Sequence, residues 1–245
     1  MLSKSTIQYL KGLKEKSNRY SEGFFLAEGS KSAIEFLASN LHIEAIYATM
    51  DWALMFPQYK NDVRLQIISP KEIEQISSLK STRDVVLQIA FQENKIEQIN
   101  LQSKLHLVLN DIQDPGNLGT IIRIADWYGI KNVVCSEGTA DCYNNKCIQA
   151  TMGSIARVNV FYTDLLNWLP NIKLPIYGAV MDGKNINSVG FENEGLLLIG
   201  NEGKGINSSL MPYISEPISI KRVGLAESLN AAIATAIICD RFLNS

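Results

Sequence analysis

The run Leu105-His106-Leu107-Val108-Leu109 is apolar on both alternating faces but for one histidine. It passes straight into the turn-forming stretch Asn110-Asp111-Ile112-Gln113-Asp114-Pro115-Gly116. Side chains along a strand point alternately to the two faces of a sheet. A strand apolar on both faces has no solvent side, so it belongs in a sheet covered on both faces, the usual setting of parallel strands. Leu196-Leu197-Leu198-Ile199 repeats the pattern and ends at Gly200-Asn201-Glu202-Gly203. A third segment, Pro217 to Ile220, leads through Lys221 and Arg222 to Glu227-Ser228-Leu229-Asn230 and an alanine-rich helical stretch. Strand–turn–helix units of this kind specify an α/β fold with a parallel sheet, and they gather their polar turn residues at one edge of it.

The same alternation runs along the whole C-terminal part. Further strands are expected at Asn132–Cys135, Val158–Tyr162 and Pro175–Val180, with helices starting near Asn117, Asn144, Thr163, Asn207 and Glu227. The N-terminal part reads as a smaller α/β unit. Helices are expected over Thr6–Lys16 and Ser30–Ser39, and strands over 24–29, 43–49, 65–68 and 85–91. Between the two lies QENKIEQINLQSK at 92–104, polar and amide-rich. The expected organisation is therefore a domain at 1–92, a linker at 93–104 and a second domain at 105–245.

A chain of 245 residues with 46% apolar and 20% charged side chains is long enough for two packed cores. Its net charge of −2 restricts any polyanion site to a local patch. One candidate is the N-terminal cluster Lys4, Lys11, Lys14, Lys16 and Arg19 against the single acid Glu15, which reads equally as a solvated helix face. Cys135, Cys142, Cys147 and Cys239 form no CxxC pair, and His42 and His106 are the only histidines, so no metal is expected. Free thiols and the absence of an apolar leader at MLSKSTIQYLKGLK point to the cytoplasm. The apolar stretch around 231–239 is far shorter than the ~20 residues that span a bilayer, so no membrane partner is expected.

The three strand ends supply a polar set: Asn117, Arg123, Glu202, Ser228 and Asn230. Asn117 is placed to cap the helix that follows the first turn. Arg123 lies deeper in that helix and either pairs with Asp126 at i+3 or clamps a phosphate with its forked donors. Ser228 and Asn230 cap the last helix, contact a ligand, or do both. The loop at 200–205 is neither a P-loop nor a GxGxxG turn, which argues against an ordinary doubly wound nucleotide-binding enzyme. With no histidine or cysteine placed as a nucleophile, the set suits positioning and charge stabilisation.

These motifs, NDIQDPGNLGTIIRIA at 110–125, GNEG at 200–203 and ESLN at 227–230, resemble in order and internal spacing the three signatures of the SpoU/TrmH RNA 2′-O-ribose methyltransferases of the SPOUT superfamily. The resemblance covers residues 105–243. Residues 1–90 resemble the L30e-like substrate-binding domain often fused ahead of it, most clearly at Phe25-Leu26-Ala27-Glu28-Gly29. The resemblance implies a C-terminal domain with a deep trefoil knot, a homodimer with its site near the interface, and S-adenosyl-L-methionine as methyl donor. It implies an RNA substrate, 23S ribosomal RNA before transfer RNA, with a non-catalytic RNA-binding or ribosome-assembly protein of the same fold as the competing reading.

By position, the resemblance makes Arg123 the catalytic arginine, Asn117 the residue that orients it, and Glu202 a support for that arrangement. Ser228 and Asn230 are assigned to the substrate or cofactor side. Backbone at Gly200, Ile220 and Leu229, with the strand end Ala179-Val180-Met181, is assigned to the adenosine. Two departures stand out. Ile220-Lys221-Arg222 replaces the Ile-Pro-Met common in the family, and Thr82-Arg83-Asp84 stands where many members carry Pro-Gln-Gly.

Overall fold

The computed structural model describes residues 1–79, 84–102 and 104–244; Thr82 and Arg83 of the second departure lie outside them. The chain divides into two compact units, Met1–Glu93 with Tyr143–Ala156, and Asn94–Cys142 with Arg157–Ser245.

The first unit is built from α1 (Lys4–Gly12), α2 (Lys16–Glu22), β1 (Phe24–Glu28), α3 (Ser30–Leu37), β2 (Ile43–Ala48), α4 (Met50–Met55), β3 (Leu65–Ile67), α5 (Pro70–Ile76) and β4 (Val85–Ala90). Its sheet has the order β1-β4-β2-β3, with β4 antiparallel to both neighbours and β3 parallel to β2. Leu10, Leu13, Leu26, Tyr47, Ile73, Ile76 and Val86 form the core between sheet and helices.

The helix expected over 6–16 stops at Gly12. Arg19, expected on a basic face, is buried and donates from its guanidinium to the carbonyls of Leu13 (3.0 Å) and Lys14 (2.6 Å). A helix end leaves carbonyls without intrahelical partners, and a guanidinium with several donors is suited to take them. Lys14 is likewise tied, through Nζ, to the carbonyl of Ser77. Lys4, Lys11 and Lys16 remain exposed.

Helix α5 begins with a reciprocal cap. Ser69 Oγ accepts from the Glu72 N–H, and the Glu72 carboxylate accepts from Ser69 Oγ (2.7 Å), Ser69 N (2.8 Å) and Leu2 N (2.6 Å). These bonds favour the charged carboxylate and hold it down to about 2, led by the Ser69 hydroxyl. Because the folded value lies below the unfolded one, the contribution is complete above about pH 4.5 and fades as pH falls toward 2. Glu72→Gln is expected to lower the melting temperature at pH 6, with the difference from wild type shrinking between pH 4.5 and 2. A difference that stays constant over that range would show that the cap does not depend on the charge.

The segment Tyr143–Ala156, expected within the C-terminal domain, packs with this first unit. It holds α7 (Asn145–Thr151). The Tyr143 ring stacks on Phe91 at 4.1 Å and on Phe25 at 4.9 Å, and its hydroxyl accepts from the N–H of Gln92 at 3.0 Å. The cluster buries aromatic area that strand periodicity at 85–91 does not reveal.

The second unit contains β5 (Leu105–Leu109), α6 (Pro115–Trp127), β6 (Asn132–Ser136), β7 (Asn159–Thr163), α8 (Leu165–Trp168), β8 (Ile176–Asn185), β9 (Gly195–Ile199), β10 (Glu216–Ser219) and α9 (Ala231–Leu243). All six strands are parallel, in the order β10-β8-β9-β5-β6-β7. The chain lays β5, β6 and β7 outward, returns to the far side for β8, and fills the gap with β9. Each of Leu105–Leu109, Asn132–Ser136 and Gly195–Ile199 is buried throughout, as strands apolar on both faces require. The amide-rich stretch expected as a linker is anchored: Ile96 and Ile99 pack on the core that includes Leu196 and Leu198, and the Asn100 carbonyl accepts from Asn132 Nδ2 at 2.6 Å. Among the described residues no helix is long and apolar enough to cross a membrane.

Candidate functional site

Strand order alone brings the polar turns together. Leu109 lies beside Ile199, and Asn110 N–H donates to the Ile199 carbonyl at 2.8 Å, so the turns after β5 and β9 start side by side. Gly178 of β8 pairs with Leu198, which puts Ala179 at the same sheet edge as Gly200. On its other side the ladder jumps: Pro217 of β10 faces Gly178, but Ile218 faces Lys184. Ala179-Val180-Met181-Asp182-Gly183 therefore stands out of register with β10. At Gly183 a Cβ would lie 2.5 Å from the Ile218 carbonyl carbon, so only glycine lets the chains cross there.

The first turn is capped three residues earlier than expected. Asp114, not Asn117, is the N-cap, its Oδ1 accepting from the Asn117 N–H at 3.0 Å. Pro115 occupies the first helical position, where its missing N–H goes unused and its fixed φ suits the helix. That places Asn117 in the first turn with its amide free to reach outward. Its Nδ2 donates to Glu202 Oε1 at 2.7 Å, and its Oδ1 accepts from Asn230 Nδ2 at 2.9 Å. Asn230 meanwhile caps α9, its Oδ1 accepting from Ala232 N (3.0 Å) and Ile233 N (3.3 Å). One asparagine thus ties together the ends of three separate strand–loop units.

The helix expected near Glu227 begins only at Ala231. Residues 221–230 form an exposed loop carrying Lys221, Arg222, Ser228 and Leu229. The stretch near Asn207 forms a 3₁₀ segment, Ser208–Tyr213. Arg123 is exposed and forms no ion pair among the described residues. It lies six residues beyond Asn117, about 120° around the helix from it. Its expected partner Asp126 instead receives Arg157, with Nη2 at 2.7 Å and Nε at 3.0 Å. Hence Asn117, Glu202 and Asn230 are brought together, while Arg123 and Ser228 stand outside that hydrogen-bonded chain.

Residues assigned to an adenosine offer main chain rather than side chains. Loop 221–229 makes no backbone–backbone hydrogen bond among the described residues, and the Ala226 carbonyl accepts from Arg222 Nη1 at 3.5 Å, so most of its main-chain groups are open to a ligand. Gly200 sits so close to the returning loop that a Cβ would lie 2.2 Å from the Gly205 carbonyl carbon and 2.3 Å from Ile206 N. A ligand recognised through main-chain groups fits this edge. Nucleophilic catalysis by thiol does not: all four cysteines are buried, and burial pushes Cys239 up to about 12. Among the described residues no cluster of three or more histidine, cysteine or acidic side chains could hold a metal.

Sequence reasoning overlooked Asp114 as the cap, and it left Asn110, Asp111 and Asn201 without roles. Asn110 Oδ1 accepts from Asn207 N at 2.8 Å, and Asp111 holds a left-handed backbone with φ of 57°. Asparagine and aspartate are the residues that most readily adopt this conformation, and the adjacent pair at 110–111 was the available signal.

Residues 104–240 match the SpoU rRNA Methylase family, and residues 4–87 match the MRM3-like substrate binding domain. The 23S rRNA (guanosine(2553)-2′-O)-methyltransferase RlmP of Bacillus subtilis is 28% identical over 232 residues, covering 93% of this chain and 92% of that protein. A solved structure from Porphyromonas gingivalis assigned to the TrmH family of RNA methyltransferases superposes with a TM-score of 0.87 at 31% identity, over 99% of this chain and 98% of that one. An AdoMet-bound rRNA methyltransferase from Sinorhizobium meliloti shares the fold, with a TM-score of 0.89 at 24% identity over 100% and 96% of the two chains.

Proposed function

The chain belongs to the SpoU rRNA Methylase family, and from that premise we propose that it transfers a methyl group from S-adenosylmethionine to a ribose 2′-hydroxyl of 23S ribosomal RNA. The observation that carries this reading is the bonded chain Glu202–Asn117–Asn230, which joins all three motif loops at one edge of the parallel sheet. The near full-length likeness to RlmP, whose name specifies 23S rRNA, supports ribosomal over transfer RNA. The match of the N-terminal unit to a substrate-binding domain supports a role for that unit in holding the RNA.

When bound, S-adenosylmethionine supplies a methyl group already activated on a positively charged sulfur. Main chain at Gly200, Ile220 and Leu229, with Ala179 and Met181, is assigned to its adenosine side. The protein's remaining task is the ribose hydroxyl, which is barely acidic at neutral pH. Arg123 projects into solvent from α6 and is assigned to the RNA, where its forked donors hold a phosphate and stabilise negative charge on the ribose oxygen as its proton passes to water and it takes the methyl from the sulfonium sulfur, whose S–C bond breaks. A guanidinium stays protonated in proteins, so it acts by charge and not as a base. Asn117, held from both sides, fixes the first turn of α6 and with it the platform that carries Arg123. Ser228, in the exposed loop, is assigned to the substrate.

The catalytic unit also presents an apolar surface suited to a second copy of the chain. Trp127 at the end of α6 is 84% exposed and Ile233 on α9 is 53% exposed; Ile237 and Leu229 are exposed too. These two helices pack on each other; Leu229 and Ile233 lie beside Asn230, and Trp127 lies toward the other end of the pair, where the adjacent Tyr128 hydroxyl donates to Asp240. Exposed apolar groups of this size mark association surfaces and support a homodimer. A ribosomal substrate supports a cytoplasmic location.

Labelled methyl from S-adenosylmethionine is expected to reach a single 2′-O-methyl nucleotide in 23S rRNA from cells lacking this protein, with the enzyme sedimenting as a dimer. Label in transfer RNA alone would overturn the substrate assignment. Cofactor binding and transfer both absent would leave the non-catalytic RNA-binding reading.

A further inference from the structure

Glu202 reaches Asn117 from a turn of only five residues, Asn201 to Gly205. The turn is closed by Asn201 N–H donating to the Gly205 carbonyl (3.0 Å) and Gly205 N–H donating to the Asn201 carbonyl (2.9 Å). Asn201 uses both ends of its side-chain amide. Its Oδ1 accepts from Gly203 N (2.9 Å) and Lys204 N (3.0 Å), and its Nδ2 donates to the carbonyl of Asp111 at 2.8 Å. The first four of these contacts shape the turn; the last fastens it to the loop that leads into Asn117.

The Asp111 carbonyl points that way because its residue is in the left-handed region, with φ of 57°. A non-glycine residue holds that conformation only where its surroundings impose it. Here Ser136, at the end of β6, does so. Asp111 N–H donates to Ser136 Oγ at 2.9 Å, and Ser136 Oγ donates to Asp111 Oδ1 at 2.6 Å. Gly138 leaves room for the carboxylate, since a Cβ there would lie 2.4 Å from Oδ1.

We propose that Asn201, through the Asp111 carbonyl fixed by Ser136, is a positioning residue for methyl transfer: it sets Glu202 at the distance from which it holds Asn117. The proposal rests on the reading of Glu202 as part of the site. Its physical basis is that a displacement of about 1 Å in a catalytic arrangement can lower the rate roughly 100-fold without unfolding anything.

Asn201→Asp isolates the inter-loop link. It keeps the oxygen that accepts from Gly203 and Lys204 but puts an acceptor, not a donor, against the Asp111 carbonyl. Transfer to 23S rRNA and thermal unfolding are measured for the full-length wild type, Asn201→Asp, Glu202→Gln and the double variant. The expected result is a fall in kcat of roughly 10- to 100-fold for Asn201→Asp, with the KM for RNA within about threefold of wild type. On the Glu202→Gln background the same change should lower kcat less than about twofold, because the residue it positions is already impaired. A merely structural role would give the full loss on both backgrounds, and that outcome overturns the proposal, as does an unaltered kcat for Asn201→Asp. Should Asn201→Asp fail to fold, Ser136→Ala reaches the same carbonyl from the other strand and must show the same pattern. Wild-type activity in Glu202→Gln would instead sink the site reading itself, and the positioning role with it.

Discussion

Arg123→Ala is expected to lower the turnover of methyl transfer by roughly 10²- to 10³-fold, the usual loss when one preorganised donor to developing charge is removed. The side chain is exposed and its helix is capped by Asp114 independently of it, so stability should change by no more than about 0.5 kcal/mol. Cofactor binding should persist, because the residues assigned to the adenosine lie on other loops. Arg123→Lys keeps a positive charge but not the planar fork, and it should recover only a small part of the lost rate. Label transfer to 23S rRNA, run beside calorimetric binding of S-adenosylmethionine, separates these effects. Near-normal turnover in Arg123→Lys would remove the forked clamp from the mechanism, and near-normal turnover in Arg123→Ala would remove Arg123 altogether.

A change of one methyl group at Gly200 is expected to be almost as damaging, by a different route. The added Cβ would meet backbone of Gly205 and Ile206 at 2.2 to 2.5 Å, and backbone cannot swing aside as a side-chain tip can. The turn that carries Glu202 must move. Overpacking of this kind costs about 1–3 kcal/mol, a fall in melting temperature of roughly 2–12 °C for a protein of this size. Because Gly200 is also assigned to the cofactor, affinity for S-adenosylmethionine should fall at least about tenfold, measured by calorimetry below the unfolding transition. Unchanged affinity together with a lowered melting temperature would show that Gly200 serves the turn alone.

The two effects also mark how far local sequence can be read. Leu105–Leu109 and Leu196–Ile199 announce their burial directly, since neither run leaves a polar face, and both are interior strands of the parallel sheet. The stretch NDIQDPGNLG announces a turn and a helix start, but two residues in it compete for the cap. Asp114 takes it because Pro115 favours the first helical position. The spacing of Arg123 and Asp126 allowed an intrahelical pair, yet Asp126 binds Arg157, 31 residues away. A basic N-terminal face looked uniform in charge count, yet Arg19 is consumed in the interior by two carbonyls.

What the sequence by itself determined is what depends on neighbours along the chain: interior strands, glycine turns and the three polar motifs at the sheet edge. Tertiary structure alone decided which of those polar groups meet. Asn117 and Glu202 are 85 residues apart and Asn117 and Asn230 are 113 apart, and nothing in their local patterns names the partner. They meet because β9 enters between β8 and β5, which sets the turn after one strand beside the turn after another. Likewise Tyr143 joins Phe25 and Phe91 because aromatic area is buried wherever the folded chain offers a matching surface. Periodicity records which face of an element is apolar; strand order decides what that face, and the polar end beside it, will touch.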